Sequence, residues 1–485
     1  MALLWALLLL PLLSAAVCAL LKRASWVVYA HRFSTAVTVG LGLWIVYGIS
    51  QNGPTSLIAG WLRMDALSAW LVLIITLVGG WAAWNSISYL NKEVQSGACP
   101  EGKLREYYAL FHLFWGTMLW VAVSDNLGLL WVSVEATTLS SAFLVAFYNE
   151  KSELEAAWKY VILSSVGIAL ALFGTVLLYF SSLGIGEGSE GLLSWIQLIL
   201  HSQQLDGGVL KLAFSLALIG YGTKVGLSPM HTWLPDAHSQ APAPISAMLS
   251  GVLLSCAFYA LLRFHIILQV AGLGQFSSSL LLGFGLFTVV LAAFFMLVQQ
   301  DYKRLLAYSS IENMGLIAVG VGFNVRWAVF GALLHLLYHA LTKALMFLAS
   351  GFLYLRFSSK RIADVSGVLR SAPKLGAIFF AGAMAISGVP PFSPFMSKFS
   401  ILSAGFTSGH GVIGSVLLAG IAMVFAGYLH SIGGMVFGAA KEGAKEKGQE
   451  WVSLAVLLGV ILLFGLYLPA PLNNLITRVL EMMQL

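Results

Sequence analysis

The sequence contains few charged residues. Only 9% of its 485 residues are Asp, Glu, Lys or Arg, whereas a soluble domain has about 25%. Hydrophobic residues make up 59% of the chain, which excludes a soluble globular protein and indicates an integral membrane protein. The 26 basic residues exceed the 20 acidic ones, but they are scattered over loops between apolar runs. This pattern does not form the basic face of a nucleic-acid-binding protein, and the lipid bilayer is the expected surrounding.

Cysteine is also scarce, and its placement excludes several redox centres. Cys18, Cys99 and Cys256 are far apart, so they form no CxxC pair, haem attachment or cluster-ligand array, and we expect no cofactor. P-loop, HExxH and GxSxG motifs are absent, so no catalytic centre is recognisable. One GxGxxG pattern within residues 186–191 follows an apolar helix rather than a strand, which favours a loop over a dinucleotide site.

Long apolar windows follow one another along the chain. About fourteen windows of roughly 20 residues can be counted, beginning with residues 2–19 and ending with residues 452–468. They predict an all-α polytopic membrane protein with about fourteen transmembrane helices. The first window is followed, not preceded, by the basic residues Lys22 and Arg23. That order is the reverse of a cleavable signal peptide, so we expect this window to remain as a helix.

The basic residues gather in alternate loops. Eighteen of the 26 lie in loops after odd-numbered windows, and five lie in the loops between. Because cytoplasmic loops carry the excess of Lys and Arg, this predicts a multi-pass protein of the cell (inner) membrane with both termini on the outer side. Three basic residues remain inside apolar windows: Lys224, Lys343 and Lys398.

Two of these lysines lie beside helix-breaking residues. Glycines flank Lys224 in GYGTKVGLSP, and prolines precede Lys398 in SGVPPFSPFMSK. Proline and glycine interrupt a helix, so both spans are predicted to be broken, as in transporters. The prolines at the two interruptions are Pro229, Pro390, Pro391 and Pro394. A charge inside a bilayer usually marks an ion path, and the alternative is a lysine that snorkels to the membrane surface.

The same two lysines have matching carboxylates. Glu135 precedes Lys224 by 89 residues and Glu312 precedes Lys398 by 86, which predicts an internal repeat. An odd number of spans per repeat requires opposite orientations, so we expect two inverted five-helix repeats. The predicted divisions are helices 1–3 in residues 1–104, the first repeat in 105–270, the second in 271–440 and a last helix in 441–485.

A row of proton-binding groups lies on one predicted span. His335, His339 and Lys343 are spaced at i, i+4 and i+8, so they share one helical face over about 12 Å. Together with a lysine on a broken helix, this row favours a proton relay. A buried histidine that only packs is the alternative. Zinc binding by the two histidines has less support because no carboxylate or thiol lies nearby in the sequence.

The sequence resembles the antiporter-like membrane subunits of complex I and its relatives, the proton-conducting transporter family. The matching stretches are KVGLSPMHTWLPDAHSQAPAPISAMLSG, DYKRLLAYSSIENMG, HLLYHALTKALMFL and GVPPFSPFMSKFSIL. Within the family, EAAWKYVILSSVG and SSIENMG are most similar to the F component of group 4 membrane-bound nickel–iron hydrogenases. The resemblance implies a fold of fourteen helices with two inverted repeats. It also implies partners: other membrane subunits of a complex I-like assembly, and iron–sulfur and nickel–iron hydrophilic subunits.

The resemblance also implies roles for the buried residues. Glu135 and Lys224 would form the ion pair of the first half-channel, and Lys398 would be the outlet of the second. The implied central relay consists of His335, His339 and Lys343. One departure is Ser255, where many relatives have a lysine; a hydroxyl cannot hold a mobile positive charge.

These features predict a proton-translocating subunit of a redox-driven complex, related to complex I and similar to a group 4 hydrogenase or dehydrogenase. Two other functions stay open. One is a subunit of an Mrp-type Na⁺/H⁺ antiporter, which would use the same residues. The other is a membrane anchor that no longer conducts ions, although an inert anchor could replace buried charges by leucine at lower energetic cost.

Overall fold

Long helices account for most of the chain in the computed structural model, which describes residues 2–185, 192–439 and 448–485. The GxGxxG glycines and the loop lysines at 441, 445 and 447 lie outside the described residues. In chain order the helices are α1 (Ala2–Leu20), α2 (Ala24–Asn52), α3 (Ala66–Gln95), α4 (Lys103–Val123), α5 (Leu127–Val145), α6 (Lys151–Ser181), α7 (Trp195–Leu200), α8 (Gly207–Val225), α9 (Trp233–Gln240), α10 (Ala243–Met248), α11 (Leu254–Val270), α12 (Gly274–Leu297), α13 (Tyr302–Gly322), α14 (Arg326–Phe357), α15 (Val368–Ser371), α16 (Pro373–Ser387), α17 (Ser393–Thr407), α18 (Gly411–Phe437), α19 (Glu450–Leu466) and α20 (Ala470–Met482).

The all-α polytopic membrane fold is confirmed. Within the described residues, eleven helices are long and apolar enough to cross a membrane, one of them formed by α10 and α11 together. The number becomes twelve if α19 and α20, which meet at 63°, are one span. The other predicted spans correspond to α4, whose first turn is charged, and to the α16–α17 pair of fifteen residues each. The total of fourteen therefore remains a prediction, as do the inverted repeats.

Both predicted helix interruptions are present. At the first interruption, α8 ends at Val225 and is followed by Gly226, which has a φ of +86°, and α9 begins at Trp233. Pro229 lies in the turn between them, and α9 extends to Gln240. At the second interruption, α16 ends at Ser387 and is followed by Gly388, which has a φ of +88°. Only glycine adopts this left-handed conformation without strain.

At the second interruption, the three predicted prolines occupy two kinds of position. Pro390 and Pro391 lie in the turn between α16 and α17, whereas Pro394 lies in the first turn of α17. Proline is tolerated in a first turn because its missing N–H would have no partner there. Pro394 therefore starts the second half-helix rather than ending the first.

Close helix packing depends on glycine at two contacts. A Cβ on Gly220 would lie 2.5 Å from the backbone nitrogen of Ala171, where α8 meets α6. A Cβ on Gly285 would lie 2.7 Å from the carbonyl oxygen of Gly315, where α12 meets α13. Small residues let helix backbones approach in this way inside a membrane. Each contact brings a helix with a buried ionisable residue, α8 or α13, against its neighbour.

A buried ion pair fixes the end of the bundle that is predicted to face outward. Nη1 of Arg263 donates to Oδ2 of Asp65 at 2.6 Å, and Nη2 donates to Oδ1 at 2.8 Å. The same Nη2 also donates to the Tyr259 hydroxyl at 2.7 Å. This network joins the start of α3 to α11. Beside it lies a short antiparallel hairpin formed by β1 (Thr55–Ile58) and β2 (Leu62–Met64). The amphipathic helix α20 lies there too. The sequence analysis predicted neither element.

Candidate functional site

Lys224 is buried at the end of α8, in the turn just before the helix break. Its side chain is 0% exposed. The Nζ donates to Oγ1 of Thr138 at 2.5 Å and to the hydroxyl of Tyr160 at 2.8 Å. The amine also lies 4.7 Å from the centre of the Tyr160 ring. An ammonium group away from water is thus held by two hydroxyl groups, one from α5 and one from α6.

Glu135 does not contact Lys224 directly. Its Oε2 accepts from Oγ1 of Thr138 at 3.2 Å, and its Oε1 accepts from Oγ of Ser165 at 2.8 Å. None of the ion pairs among the described residues joins Glu135 to Lys224. The ion pair implied by the resemblance therefore stays a prediction, and in this structure the two side chains are connected through a third. Thr138 lies one turn after Glu135 on α5, and its hydroxyl accepts from the lysine and donates to the carboxylate.

The second lysine makes the direct pair that the first one lacks. Nζ of Lys398 donates to Oε1 of Glu312 at 3.3 Å. Both residues are buried, and the glutamate is 0% exposed. Nδ2 of Asn313 donates to the other oxygen of Glu312 at 2.5 Å. The paired charges and the amide compensate one another, as a buried carboxylate requires.

The predicted central row lies on α14 between the two lysine sites. Its three residues are all 0% exposed. The rings of His335 and His339 are 6.4 Å apart. Nε2 of His335 donates to Oδ1 of Asn313 at 2.8 Å, and its Nδ1 lies 2.8 Å from Oγ of Ser397. Through Asn313, the row is connected to Glu312 and hence to Lys398.

Lys343 extends this network along α13. Its Nζ donates to the carbonyl oxygen of Leu306 at 2.6 Å and to Oγ of Ser309 at 2.7 Å. Nδ2 of Asn313 in turn donates to the carbonyl oxygen of Ser309 at 2.6 Å. His339 differs from its neighbours because neither of its ring nitrogens has a hydrogen-bond partner among the described residues. A ring with two unused nitrogens is free to accept or pass on a proton.

Another buried histidine, His238, lies on the half-helix α9 and was not selected from the sequence. It is 0% exposed, and both ring nitrogens lack a partner among the described residues. Its ring is 6.1 Å from that of Trp233 and 5.7 Å from that of Phe347. Trp233 lies 4.7 Å from the Tyr160 ring that contacts Lys224, and Phe347 is one turn after Lys343 on α14. His238 therefore lies between the first lysine and the central row.

Ser255 makes a hydrogen bond within its own helix. Its hydroxyl donates its one proton to the carbonyl oxygen of Gly251 at 3.0 Å. For the zinc alternative at His335 and His339, residues 2–185, 192–439 and 448–485 contain no group of three His, Cys, Asp or Glu side chains arranged to hold an ion.

The structure adds connecting residues that the sequence did not single out. Thr138 could have been found because it is one turn from Glu135, and Asn313 because it follows Glu312 directly. Tyr160 and Ser165 lie in the stretch EAAWKYVILSSVG, which carries the resemblance to the hydrogenase F component, but neither was selected as a site residue. Taken together, buried acids, amines, imidazoles and hydroxyls reach from α5 to α17. Such a row can move protons through a bundle, with water bridging the longer gaps.

Comparisons with known proteins identify the family of this chain. The family described as "NADH:quinone oxidoreductase/Mrp antiporter, TM" matches residues 124–426. A hydrogenase-4 component F homolog from Methylacidiphilum infernorum is 43% identical over 344 residues, which cover 71% of this chain and 72% of the relative.

Two solved structures have the same fold over almost the whole chain. A chain of the archaeal membrane-bound sulfane sulfur reductase has a TM-score of 0.89 and 25% identity, covering 99% of this chain and 97% of its own. A chain of the Mrp complex from Dietzia sp. has a TM-score of 0.87 and 20% identity, covering 100% and 98%. With 62% of its residues inside the family match, the chain belongs to the NADH:quinone oxidoreductase/Mrp antiporter transmembrane family and is a multi-span, antiporter-like membrane protein.

Proposed function

We propose that this chain is a proton-translocating subunit of a redox-driven membrane complex related to complex I, of the hydrogenase or dehydrogenase kind. The observation that carries the proposal is the buried row of proton-binding groups. It starts at Lys224 on one broken helix and ends at Lys398 on the other, with His335, His339 and Lys343 between them. Unpaired or partly paired charges inside a membrane are expensive to keep, so a row of them favours an ion path.

The first step of the proposed mechanism takes place around Lys224. Its ammonium is stabilised by Thr138 and Tyr160, and by the negative charge of Glu135 beyond the threonine hydroxyl. When that negative charge is neutralised or drawn away, the ammonium is stabilised less and releases its proton. The neutral amine can then accept another proton. Glu135 thus acts as the switch and Lys224 as the carrier.

The second step carries the proton to the other broken helix. By distance and angle, the ring nitrogens of His238 and His339 have no hydrogen-bond partner within the described part of the chain, and His335 is connected through Asn313 to Glu312. A proton that reaches this network weakens the attraction between Glu312 and Lys398, and the lysine releases its own proton. The amide of Asn313 orients the histidine and the carboxylate without titrating.

Energy has to come from partner subunits. Moving one charge against the membrane potential costs about 2.3 kcal/mol per 100 mV, and the sequence contains no nucleotide or redox motif. Glu135 is only partly buried, and the face of α5 around it is apolar and exposed at Val132 (52%), Leu139 (55%) and Phe143 (67%). A carboxylate on such a face would meet lipid in a monomer. We infer that a neighbouring membrane subunit covers this face and that its charges act on Glu135.

Further partners and the orientation belong to the same proposal. The solved relatives are chains of multi-subunit membrane complexes, which supports membrane subunits as partners. We propose iron–sulfur and nickel–iron hydrophilic subunits as the source of energy, the cell membrane as the location, and both termini on the outer side. We also propose that residues 105–270 and 271–440 are the two inverted repeats.

The Mrp-type Na⁺/H⁺ antiporter is the second candidate, because the Dietzia Mrp chain has the same fold. The two candidates differ in their partners. Gentle solubilisation of the native membrane should recover the chain with iron–sulfur proteins. Recovery with antiporter subunits alone, and without any iron–sulfur protein, would favour the Mrp-type function.

Replacement of Lys224 tests proton translocation itself. Lys224→Ala should abolish proton translocation in sealed vesicles while the complex still assembles. Lys211→Ala is the matched control, because Lys211 lies on the same helix but is exposed. A Lys224→Ala complex that translocates protons at the wild-type ratio would refute the proposal and favour an inert anchor.

A further inference from the structure

A cavity at the basic-loop end of the bundle contains a second group of ionisable residues. Its volume is about 180 Å³, enough for several water molecules. Polar side chains from different parts of the chain line it: Tyr89 and Glu93 of α3, Tyr148, Glu153 of α6, Lys303 of α13, and Lys360. None of these belongs to the buried row between Lys224 and Lys398, so the cavity is a separate site.

Glu93 is the notable acid in this cavity. It is 3% exposed, and both carboxylate oxygens accept from the Tyr148 hydroxyl, at 2.6 and 2.7 Å. It forms no ion pair within 4.0 Å among the described residues. A buried, unpaired carboxylate is costly as a permanent anion, so exchange of protons with cavity water is favoured. Glu153 differs, because its carboxylate accepts from backbone N–H groups and caps α6.

The cavity leads towards the central row. Nζ of Lys303 donates to the carbonyl oxygen of Ala241 at 2.7 Å, at the C-terminal end of α9. His238 lies one turn earlier on α9, and its two ring nitrogens have no partner among the described residues. The His238 ring lies 5.7 Å from the ring of Phe347, which is one turn after Lys343 on α14. His238 thus stands between a lysine of the cavity and a lysine of the central row.

We propose that this cavity is the site where the chain takes up protons from the side of the basic loops, with Glu93 as the acceptor. Water in the cavity protonates the Glu93 carboxylate. Glu93 then returns the proton to the inner water, from which a free ring nitrogen of His238 takes it and passes it to the Lys343 amine. One proton is lost and one gained at each transfer. This inference rests on the proposed function, because it supplies the protons that the buried row moves.

Blocking the cavity tests the inference without changing its buried residues. Ala98 lines the cavity in the loop after α3, whereas Ser96 is exposed in the same loop outside it. Ala98→Cys and Ser96→Cys would each be treated with a membrane-impermeant quaternary-ammonium methanethiosulfonate. The native cysteines are buried, and burial raises the pKa of the Cys99 thiol to about 11, so reaction is directed to the introduced cysteine.

We expect modified Ala98→Cys to lose at least nine tenths of its redox-driven proton translocation, and modified Ser96→Cys to keep it. The reagent should act on inverted vesicles and not on right-side-out ones. Equal translocation by the two modified variants would overturn the inference. So would reaction only from the opposite side of the membrane.

A second variant tests Glu93 itself. Glu93→Gln keeps the size of the side chain and an acceptor for Tyr148, and should lower translocation at least fivefold with normal assembly. The exposed Glu101→Gln is the control and should match the wild type. If Lys224→Ala abolishes translocation but Glu93→Gln translocates normally, only this inference fails. If Lys224→Ala still translocates protons, the proposed function fails together with this inference.

Discussion

Removal of the Thr138 hydroxyl should interrupt the link between Glu135 and Lys224. Thr138→Val replaces the hydroxyl by a methyl group of similar size and so removes a buried hydrogen-bonding group from α5. The lysine loses the acceptor at 2.5 Å and keeps its bond to the Tyr160 hydroxyl, and the carboxylate loses its bond at 3.2 Å. The charge on Glu135 can then no longer act through a hydrogen-bonded hydroxyl.

The size of the effect follows from these contacts. A hydrogen bond to a charged group contributes about 1.5–3 kcal/mol, and about 1.4 kcal/mol corresponds to a factor of ten in rate. Because the bond from Lys224 to Thr138 is buried and short, we use this full energy range for its loss. We therefore expect proton translocation by Thr138→Val to fall roughly tenfold to a hundredfold.

The assay is proton uptake per turnover in sealed vesicles that contain the assembled complex. Thr138→Ser keeps the hydroxyl and should translocate at close to the wild-type rate. Thr137→Val is the matched control, because the Thr137 hydroxyl donates only within its own helix, to the carbonyl oxygen of Val134 at 2.6 Å. If Thr138→Val translocates as well as Thr137→Val, the hydroxyl is not part of the path.

Three further changes have defined outcomes. His339→Leu should slow proton translocation severalfold without loss of assembly, since its ring nitrogens have no partner to lose among the described residues; unchanged translocation would make it a packing residue. Arg263→Met should lower the stability in a thermal-unfolding assay by about 3–5 kcal/mol, because Asp65 is left buried and unpaired, and a wild-type melting temperature would contradict this. Lys398→Ala should stop translocation and, because it leaves Glu312 buried without its partner, lower thermal stability. Adding Glu312→Gln should restore the stability but not the translocation, and a recovered proton flux would show that this pair is only structural.

Much of the fold could be predicted because local chemistry specifies it. Apolar windows predicted the membrane helices, and the glycines and prolines near Lys224 and Lys398 predicted both interruptions. The sequence did not predict α20, since its short amphipathic stretch is stabilised by packing its apolar side on the bundle rather than by length or hydropathy. Nor did it predict how far α9 continues after the first interruption, which depends on its contacts with α6 and α13.

The sequence by itself determined that Lys224, Lys343 and Lys398 lie within apolar runs, because hydropathy is read directly from the residues, although it did not single out His238. It also determined that His335, His339 and Lys343 share a face, since helical periodicity is a local property. Only the tertiary structure decided which groups touch. Lys224 contacts hydroxyls from α5 and α6, whereas Lys398 contacts its glutamate directly. These contacts join helices far apart in the chain, and their geometry depends on how closely the helices pack, which residue spacing along the chain does not encode.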